Sequence, residues 1–292
     1  MTTNGRGRIR RSMLFVPGNN PSMIQTCPIY GADSIILDLE DSVAVSQKDA
    51  ARMLVVHAIL ELDFGGAEIA VRINSPLTEE GQKDIEALIK AAPSVFVVPK
   101  VESAEEILEL DRKLSTVPIG LIPILETPKG VLHGEEIASS CPRVWALSFG
   151  AEDYATAMGV ERTRGGRELF TARSLVAMQA KSSGVAALDT VFADVNDEEG
   201  LRNDTQEAIS LGFEGKYAIS PRQVGVINNL FTPQPAEIEK ARQILETYRS
   251  GVERGIGAIA LDGRMIDAPV VQRAERVLAL ARAAGLLGGG ME

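Results

Sequence analysis

The sequence predicts a (β/α)8 barrel of the TIM type with a C-terminal helical extension, and three observations carry that prediction. Eight short apolar runs recur along the chain as far as Ile219, most of them are continuous in hydrophobicity rather than alternating, and helical patterns separate them. Continuous apolar runs are how strands covered on both faces read, and a repeated strand–helix–strand order requires parallel pairing through crossovers. Eight such units close into a barrel; a doubly wound open sheet is the alternative arrangement of the same units.

The expected strands are residues 12–16 (SMLFV), 34–39 (SIILDL), 68–73 (EIAVRI), 95–99 (VFVVP), 120–125 (GLIPIL), 144–149 (VWALSF), 190–195 (TVFADV) and 216–219 (KYAI). Helices are expected at 50–62, at 80–92 through Ile85, Leu88 and Ile89, at 104–114 through Ile107, Leu108 and Leu114, and at 168–182 and 204–211. Strand starts lie 22 to 34 residues apart, room for one helix and two loops, except for a gap of 46 between the sixth and seventh. The long stretch 150–189 holds Arg162, Arg164, Gly165, Gly166 and Arg167, and reads as a flexible loop able to cover the barrel mouth. Beyond residue 230 the pattern changes, which divides the chain into a barrel at 1–230 and an extension at 231–292. The extension is expected to hold a helix at 236–252 with Ile238, Ala241, Ile244, Leu245 and Tyr248 on one face, a strand-like piece at 255–262, and a helix at 268–284 with Val270, Ala274, Val277, Leu278 and Ala281. Gly255 and Gly257 lack the third glycine of a dinucleotide fingerprint and read as a turn, and the last residues read as a frayed end.

Composition narrows the class. Of 292 residues, 45% are hydrophobic and 24% charged, which is ordinary for a globular chain. The net charge of −10 argues against nucleic acid, and the one basic run (Arg6, Arg8, Arg10, Arg11) reads as a solubilising arm. Cys27 and Cys141 make no disulfide framework and no metal-type spacing. With no leader-like segment and no membrane-length apolar window, a cytoplasmic location is expected.

In barrel enzymes the reacting groups sit at the C-terminal strand ends. These ends carry Pro17-Gly18-Asn19-Asn20, Glu40-Asp41, Arg72 with Asn74, Lys100, Glu126-Thr127-Pro128, Gly150-Ala151-Glu152-Asp153, Asp194, and Ser220-Pro221-Arg222. Glu40, Asp41, Glu126, Glu152 and Asp153 would then converge on one opening. Such a group cannot remain anionic in a desolvated mouth without cations. Arg72 and Lys100 supply part of the balance, and a divalent ion is the other source. Mg²⁺ takes one or two carboxylates and keeps waters or substrate oxygens, which suits Glu126 and Asp153 on adjacent strands; rim salt bridges are the plainer reading of the same acids. Arg72, inside an apolar strand, is either a structural partner of Glu40 or Asp41 or a fork for a substrate carboxylate. Lys100 fits charge balancing better than a Schiff base. His57 and His133 fall away from strand ends and Trp145 reads as core. Asp267, before Ala268-Pro269, reads as a helix N-cap.

Six segments in order, RSMLFVPGNN (11–20), LDLED (37–41), VRIN (71–74), PILET (123–127), FGAEDY (149–154) and MIDAP (265–269), resemble the citrate lyase beta-subunit family and its malyl-CoA and citramalyl-CoA lyase relatives. The resemblance spans nearly the whole chain. It implies a lyase that cleaves a hydroxyacyl thioester beside its hydroxyl-bearing carbon, with Mg²⁺ on Glu126 and Asp153. It implies that Arg72 grips the oxo-acid carboxylate, that Glu40 and Asp41 hold the metal's waters, and that backbone N–H groups near Gly150, Ala151 and Glu152 contact the oxo acid. It implies a homotrimer in which Asp267 enters a neighbouring mouth as acid/base. Partners implied are an acyl-CoA or acyl-carrier-protein thioester and possible citrate lyase alpha and gamma subunits; Phe15, Arg162, Arg164 and Arg167 are candidate handles for the thioester arm. The competing expectations are a stand-alone malyl-CoA or citramalyl-CoA lyase, a malate-synthase-like condensing enzyme, and a non-catalytic barrel subunit.

Overall fold

The computed structural model describes residues 5–254, 259–261 and 263–287 and divides at Asn229/Leu230 into two compact units. The first is a closed barrel of eight parallel strands in chain order: β1 (Ser12–Pro17), β2 (Ser34–Asp38), β3 (Glu68–Arg72), β4 (Val95–Val98), β5 (Gly120–Leu125), β6 (Ala146–Phe149), β7 (Ala186–Asp189) and β8 (Gly215–Ala218). Closure is made by β1 against β8, with Met13 opposite Tyr217.

The expected apolar runs are strands because neither face meets water. Ile35, Ile36 and Leu37 are consecutive and all fully buried, and Val95, Phe96 and Val97 likewise. One set of side chains fills the barrel: Met13, Ile36, Ala70, Val95, Val97, Ile122, Ile124, Leu188 and Tyr217 form one cluster with Trp145. At the opposite end from the mouth a buried ion pair, Arg10–Glu68 at 2.7 Å, closes the barrel, and the Arg10 guanidinium lies 5.5 Å from the centre of the Trp145 ring.

The helices of this unit are α1 (Pro21–Thr26), α2 (Lys48–Glu61), α3 (Glu79–Ala91), α4 (Ala104–Lys113), α5 (Pro128–Leu132), α6 (Gly134–Ser139), α7 (Ala151–Met158), α8 (Phe170–Ser182), α9 (Glu198–Leu211) and α10 (Pro221–Phe231), in whose last turn the unit ends. Their starts obey capping chemistry. Asn20, Thr78, Thr127 and Asp197 each accept a backbone N–H of the first turn, and Pro21 and Pro128 occupy first helical positions.

The seventh strand corrects the sequence expectation. Residues 190–195 are a loop, and β7 is Ala186–Asp189. Its alanines carry little strand signal, whereas the bulkier TVFADV run imitates a strand. Asp189 would also count against a strand by its charge, yet it is fully buried because Lys216 (2.6 Å) and Arg173 (2.8 Å) pair with it. Asp194 therefore ends no strand; its carboxylate accepts the Asn196 N–H in an exposed turn. The 150–189 stretch is mostly helix, α7 and α8, and its intervening turn is tied down: Arg162 donates to Val191 O at 2.7 Å and also pairs with Glu152, and Arg164 pairs with Asp197 at 2.6 Å.

The second unit consists of α11 (Pro235–Glu253), a two-stranded antiparallel ribbon β9 (Ala260–Leu261) and β10 (Arg264–Met265), and α12 (Ala268–Ala283). Ile238 and Ala241 of α11 pack on Ala274, Leu278 and Ala281 of α12, with Ile244, Leu245 and Val277 at the margin. The strand-like expectation at 255–262 lands partly on β9; Gly255 and Gly257 and the final five residues lie outside the described residues. Among the described residues no helix is long and apolar enough to cross a membrane.

Gly120 is required by the core. A Cβ there would stand 2.4 Å from the Trp145 ring. Gly120→Ala should therefore destabilise the barrel by about 1–3 kcal/mol, read as a lower midpoint in urea denaturation with an unchanged slope; an unshifted midpoint would mean the ring moves freely.

Candidate active site

The C-terminal strand ends gather Asp38, Glu40, Asp41, Arg72, Lys100, Glu126 and Asp153 around a cavity of about 370 Å³, whose walls include Phe15, Gly150, Ala151, Thr190 and Tyr217. A larger groove of about 770 Å³ lies within the second unit between α11, α12 and the ribbon. It has an apolar floor and scattered charges rather than converging ones, so the barrel mouth is where chemistry can be concentrated.

Arg72, the last residue of β3, is held on three sides. Its Nε and Nη2 donate to the two oxygens of Asp38 at 2.6 and 2.7 Å, and its Nη1 lies 2.9 Å from Glu40 Oε2 and 3.8 Å from Asp41. Its face rests on Phe15, 4.9 Å from the ring centre, and Phe15 in turn meets Tyr217 edge-on at 5.1 Å. Asp38 is the residue that the strand-end reading passed over. It is the first of the three acids of LDLED, still inside β2 and 1% exposed, and it takes the bidentate geometry expected of a substrate carboxylate. Burial pushes the Asp38 carboxyl up, but the Arg72 hydrogen bonds and charge, with N–H donation from Ser42 and Glu40, outweigh this and leave it below its ordinary value.

Glu40 is 8% exposed, and burial raises its carboxyl more than Arg72 and Lys100 lower it. Lys48 reaches from α2 to the Leu39 and Glu40 carbonyls at 2.7 and 2.6 Å, fixing the loop that presents Glu40. Lys100 follows β4 with a left-handed φ of 55°. Its N–H donates to Glu126 Oε1 at 2.8 Å, and its Nζ lies 2.7 Å from Glu40, 3.6 Å from Asp153 and 4.0 Å from Asp41.

Glu126, directly after β5, is 5% exposed. Burial first, and the Asp153 charge second, push its carboxyl up to about 8. Asp153 sits in the first turn of α7, where the free N–H groups favour negative charge. Gly150 makes the approach of these two segments possible: a Cβ on it would stand 2.4 Å from Glu126 Oε2. The Gly150 N–H donates to Leu125 O at 3.2 Å and the Ala151 N–H to Thr190 Oγ1 at 3.0 Å, so these two of the N–H groups expected to contact the oxo acid already have partners.

The donor set suits a hard cation. Glu126 and Asp153 offer carboxylate oxygens only, and among the described residues no group of three or more His, Cys, Asp or Glu forms a closed metal cage. An open two-carboxylate site is the arrangement Mg²⁺ uses while retaining other oxygen ligands. The raised Glu126 carboxyl reflects its burial first, and then the neighbouring Asp153 charge.

None of the remaining histidine and arginine candidates of the barrel unit lines this cavity. His57 is exposed on α2, and His133 caps the end of α5. Arg162 and Arg164 are engaged in the pairs described above, while the Arg167 side chain is exposed. Asp267 belongs to the second unit, where its Oδ1 accepts the Val270 N–H at 3.1 Å as the N-cap of α12; it is exposed.

A parallel barrel that brings opposed carboxylates, a fixed arginine and a lysine to its C-terminal mouth belongs to the barrel enzymes. Residues 11–221 match the HpcH/HpaI aldolase/citrate lyase family, and the chain belongs to that family. It is 41% identical over 285 residues to the citrate lyase subunit beta of Leuconostoc mesenteroides subsp. cremoris, covering 94% of each chain. It is 34% identical over 290 residues to the mitochondrial citramalyl-CoA lyase of Mus musculus, covering 93% of this chain and 86% of that one. Among solved structures it resembles protein CitE from Mycobacterium tuberculosis in complex with magnesium, acetoacetate and coenzyme A, with a TM-score of 0.80, 33% identity, and coverage of 96% and 99%. The matched family span ends before Asp267, whereas the likeness to the whole relatives runs through nearly the full chain.

The Asp38–Arg72 pair makes an acid-side prediction. A carboxyl lowered on folding contributes stability that is present above its unfolded value of about 3.9 and is lost as pH falls through the folded value. Asp38→Asn should cost about 2 kcal/mol at neutral pH and remove part of the acid-induced loss, so the stability difference from wild type narrows below about pH 4. Parallel urea curves at neutral and acid pH check this; a constant difference would sink it.

Proposed function

We propose that the chain is a Mg²⁺-dependent carbon–carbon lyase that cleaves a citryl thioester into oxaloacetate and an acetyl thioester. The observation that carries the proposal is the buried Glu126 carboxyl set against Asp153 beside the fixed Arg72. Support comes from the citrate lyase beta subunit at 41% identity and from the CitE complex holding magnesium, acetoacetate and coenzyme A.

In this reading Glu126 and Asp153 hold the ion. When bound, Mg²⁺ supplies Lewis acidity to the substrate hydroxyl and the adjacent carboxylate. Arg72 aligns that carboxylate. Because Asp38 occupies Nε and Nη2, the substrate contends with Glu40 for Nη1, so Asp38 acts as the anchor and Glu40 as the displaceable partner. Glu40 and Asp41 orient water in the mouth. Gly150 and Ala151 serve as close-approach wall more than as donors, since their N–H groups are engaged. Phe15 supports Arg72 and walls the entry of the thioester arm, with Arg167 as an outer contact for that arm.

The bond between the hydroxyl-bearing carbon and the thioester α-carbon breaks as the hydroxyl gives its proton to the Asp267 carboxylate of a neighbouring copy, leaving the ketone of the oxo acid. The electron pair passes to the thioester enolate, and a proton delivered to the α-carbon completes the acetyl group. Asp267 is assigned that proton, acting in the mouth of a neighbouring copy. Its Oδ1 caps α12, which leaves Oδ2 for transfer. A homotrimer, a separate carrier subunit, citrate lyase alpha and gamma partners and a cytoplasmic setting complete the proposal. The 34% identity to a citramalyl-CoA lyase keeps a stand-alone enzyme as the second reading.

The decisive assay offers citryl-, malyl- and citramalyl-CoA, and a citryl carrier protein, with Mg²⁺ or with a chelator. Mg²⁺-dependent release of oxaloacetate is expected; release of glyoxylate or pyruvate instead favours the second reading, and no cleavage of any substrate defeats both. Glu126→Gln should lower kcat/KM at least about a hundredfold. Asp267→Ala should keep Mg²⁺ binding while lowering kcat about 10²–10⁴-fold; full turnover in that variant would remove Asp267 from the chemistry.

A further inference from the structure

We propose that Lys100 is the built-in counter-ion of the mouth, and that a divalent cation on Glu126 and Asp153 displaces its ammonium from Asp153. The inference rests on the reading of Glu126 and Asp153 as the metal-binding pair, and it adds a competition between the ion and a residue of the same chain.

The two cations of the mouth differ in mobility. Arg72 is clamped by both oxygens of Asp38, stacked on Phe15, and only 14% of its side chain is exposed. Lys100 has a flexible four-carbon stem and a side chain 42% exposed, and its ammonium spans Glu40, Asp41 and Asp153 at 2.7, 4.0 and 3.6 Å. The short contact is to Glu40. The contact to Asp153 is longer than a hydrogen bond, so it is electrostatic and open to exchange.

The backbone at Lys100 is left-handed. A φ of 55° is unfavourable for a residue with a Cβ and natural for glycine. Glycine at 100 would present the same N–H to Glu126 with less strain. What lysine adds over glycine is the ammonium. In the metal-free protein that charge balances carboxylates packed within one opening. With an ion on Asp153 and Glu126, the same charge opposes the ion and is best accommodated on Glu40 alone. Lys100 therefore holds the empty site together at the expense of ion affinity, while its main-chain N–H orients Glu126 in both states.

The test is Mg²⁺ titration by calorimetry of wild type, Lys100→Met and Lys100→Gly, with thermal melts of each at zero and saturating Mg²⁺. Lys100→Gly keeps the N–H and suits the backbone, so it serves if the methionine variant fails to fold. Removal of the ammonium should tighten Mg²⁺ binding about tenfold, lower the metal-free Tm, and enlarge the rise in Tm on adding Mg²⁺. A merely structural lysine would lower the Tm equally with and without Mg²⁺ and leave the affinity unchanged; that result, or weaker binding in a folded variant, overturns the inference while leaving the metal pair intact. A folded wild type that binds no Mg²⁺ overturns the metal reading and this inference together.

Discussion

The mouth of this barrel is governed by an excess of buried negative charge. Asp38, Glu40 and Glu126 are all nearly removed from water, and Asp41 and Asp153 face the same opening. Desolvation raises the free energy of each anion, and proximity raises it further. Arg72 and Lys100 answer part of this, while burial first and the Asp153 charge second leave the Glu126 carboxyl raised. The rest of the site follows from how that charge is held: an arginine clamped by Asp38, a lysine shared among Glu40, Asp41 and Asp153, and a buried glutamate beside Asp153.

The fold supplies the conditions for such a concentration. Parallel strands bring every C-terminal end to one rim, so acids up to 115 positions apart in the chain, from Asp38 to Asp153, share one cavity. Helices pack over the outer face and exclude water from the strands that carry the acids. Small residues then set the distances. Gly150 admits Glu126 to the first turn of α7, and Gly120 admits Trp145 to the barrel floor. Buried ion pairs elsewhere, Arg10–Glu68 and the Asp189–Lys216–Arg173 group, are fully partnered and lie outside the mouth cavity, which separates structural charge from charge available to chemistry.

An arginine in an apolar strand has two readings, an internal partner or a substrate grip, and in the structure its nitrogens are divided between a buried partner and the opening. Asp38 holds Nε and Nη2, and Nη1 faces the opening with Glu40. Asp267 likewise caps α12 with one oxygen and retains the other. Neither residue has to be either structural or functional, because each side chain has more than one hydrogen-bonding edge.

Most of the barrel was legible in the sequence because strands covered on both faces need continuous apolar residues, and their spacing leaves room for one helix each. The rim acids Glu40, Asp41, Glu126 and Asp153 were legible for a related reason: parallel strands end where hydrophobicity ends. β7 was not legible, since its alanines and Asp189 carry no local strand signal, and Asp189 is accommodated in the interior by Arg173 and Lys216, which arrive from other elements. Asp38 was passed over because its neighbours in the chain resemble it; only the register of β2 against β3, which sets Asp38 beside Arg72, distinguishes it. The sequence by itself determined which residue types reach the mouth, because composition and periodicity are local. Which acid takes which cation was decided by tertiary structure, because ion pairing depends on distances of a few ångströms between segments that the chain order leaves far apart.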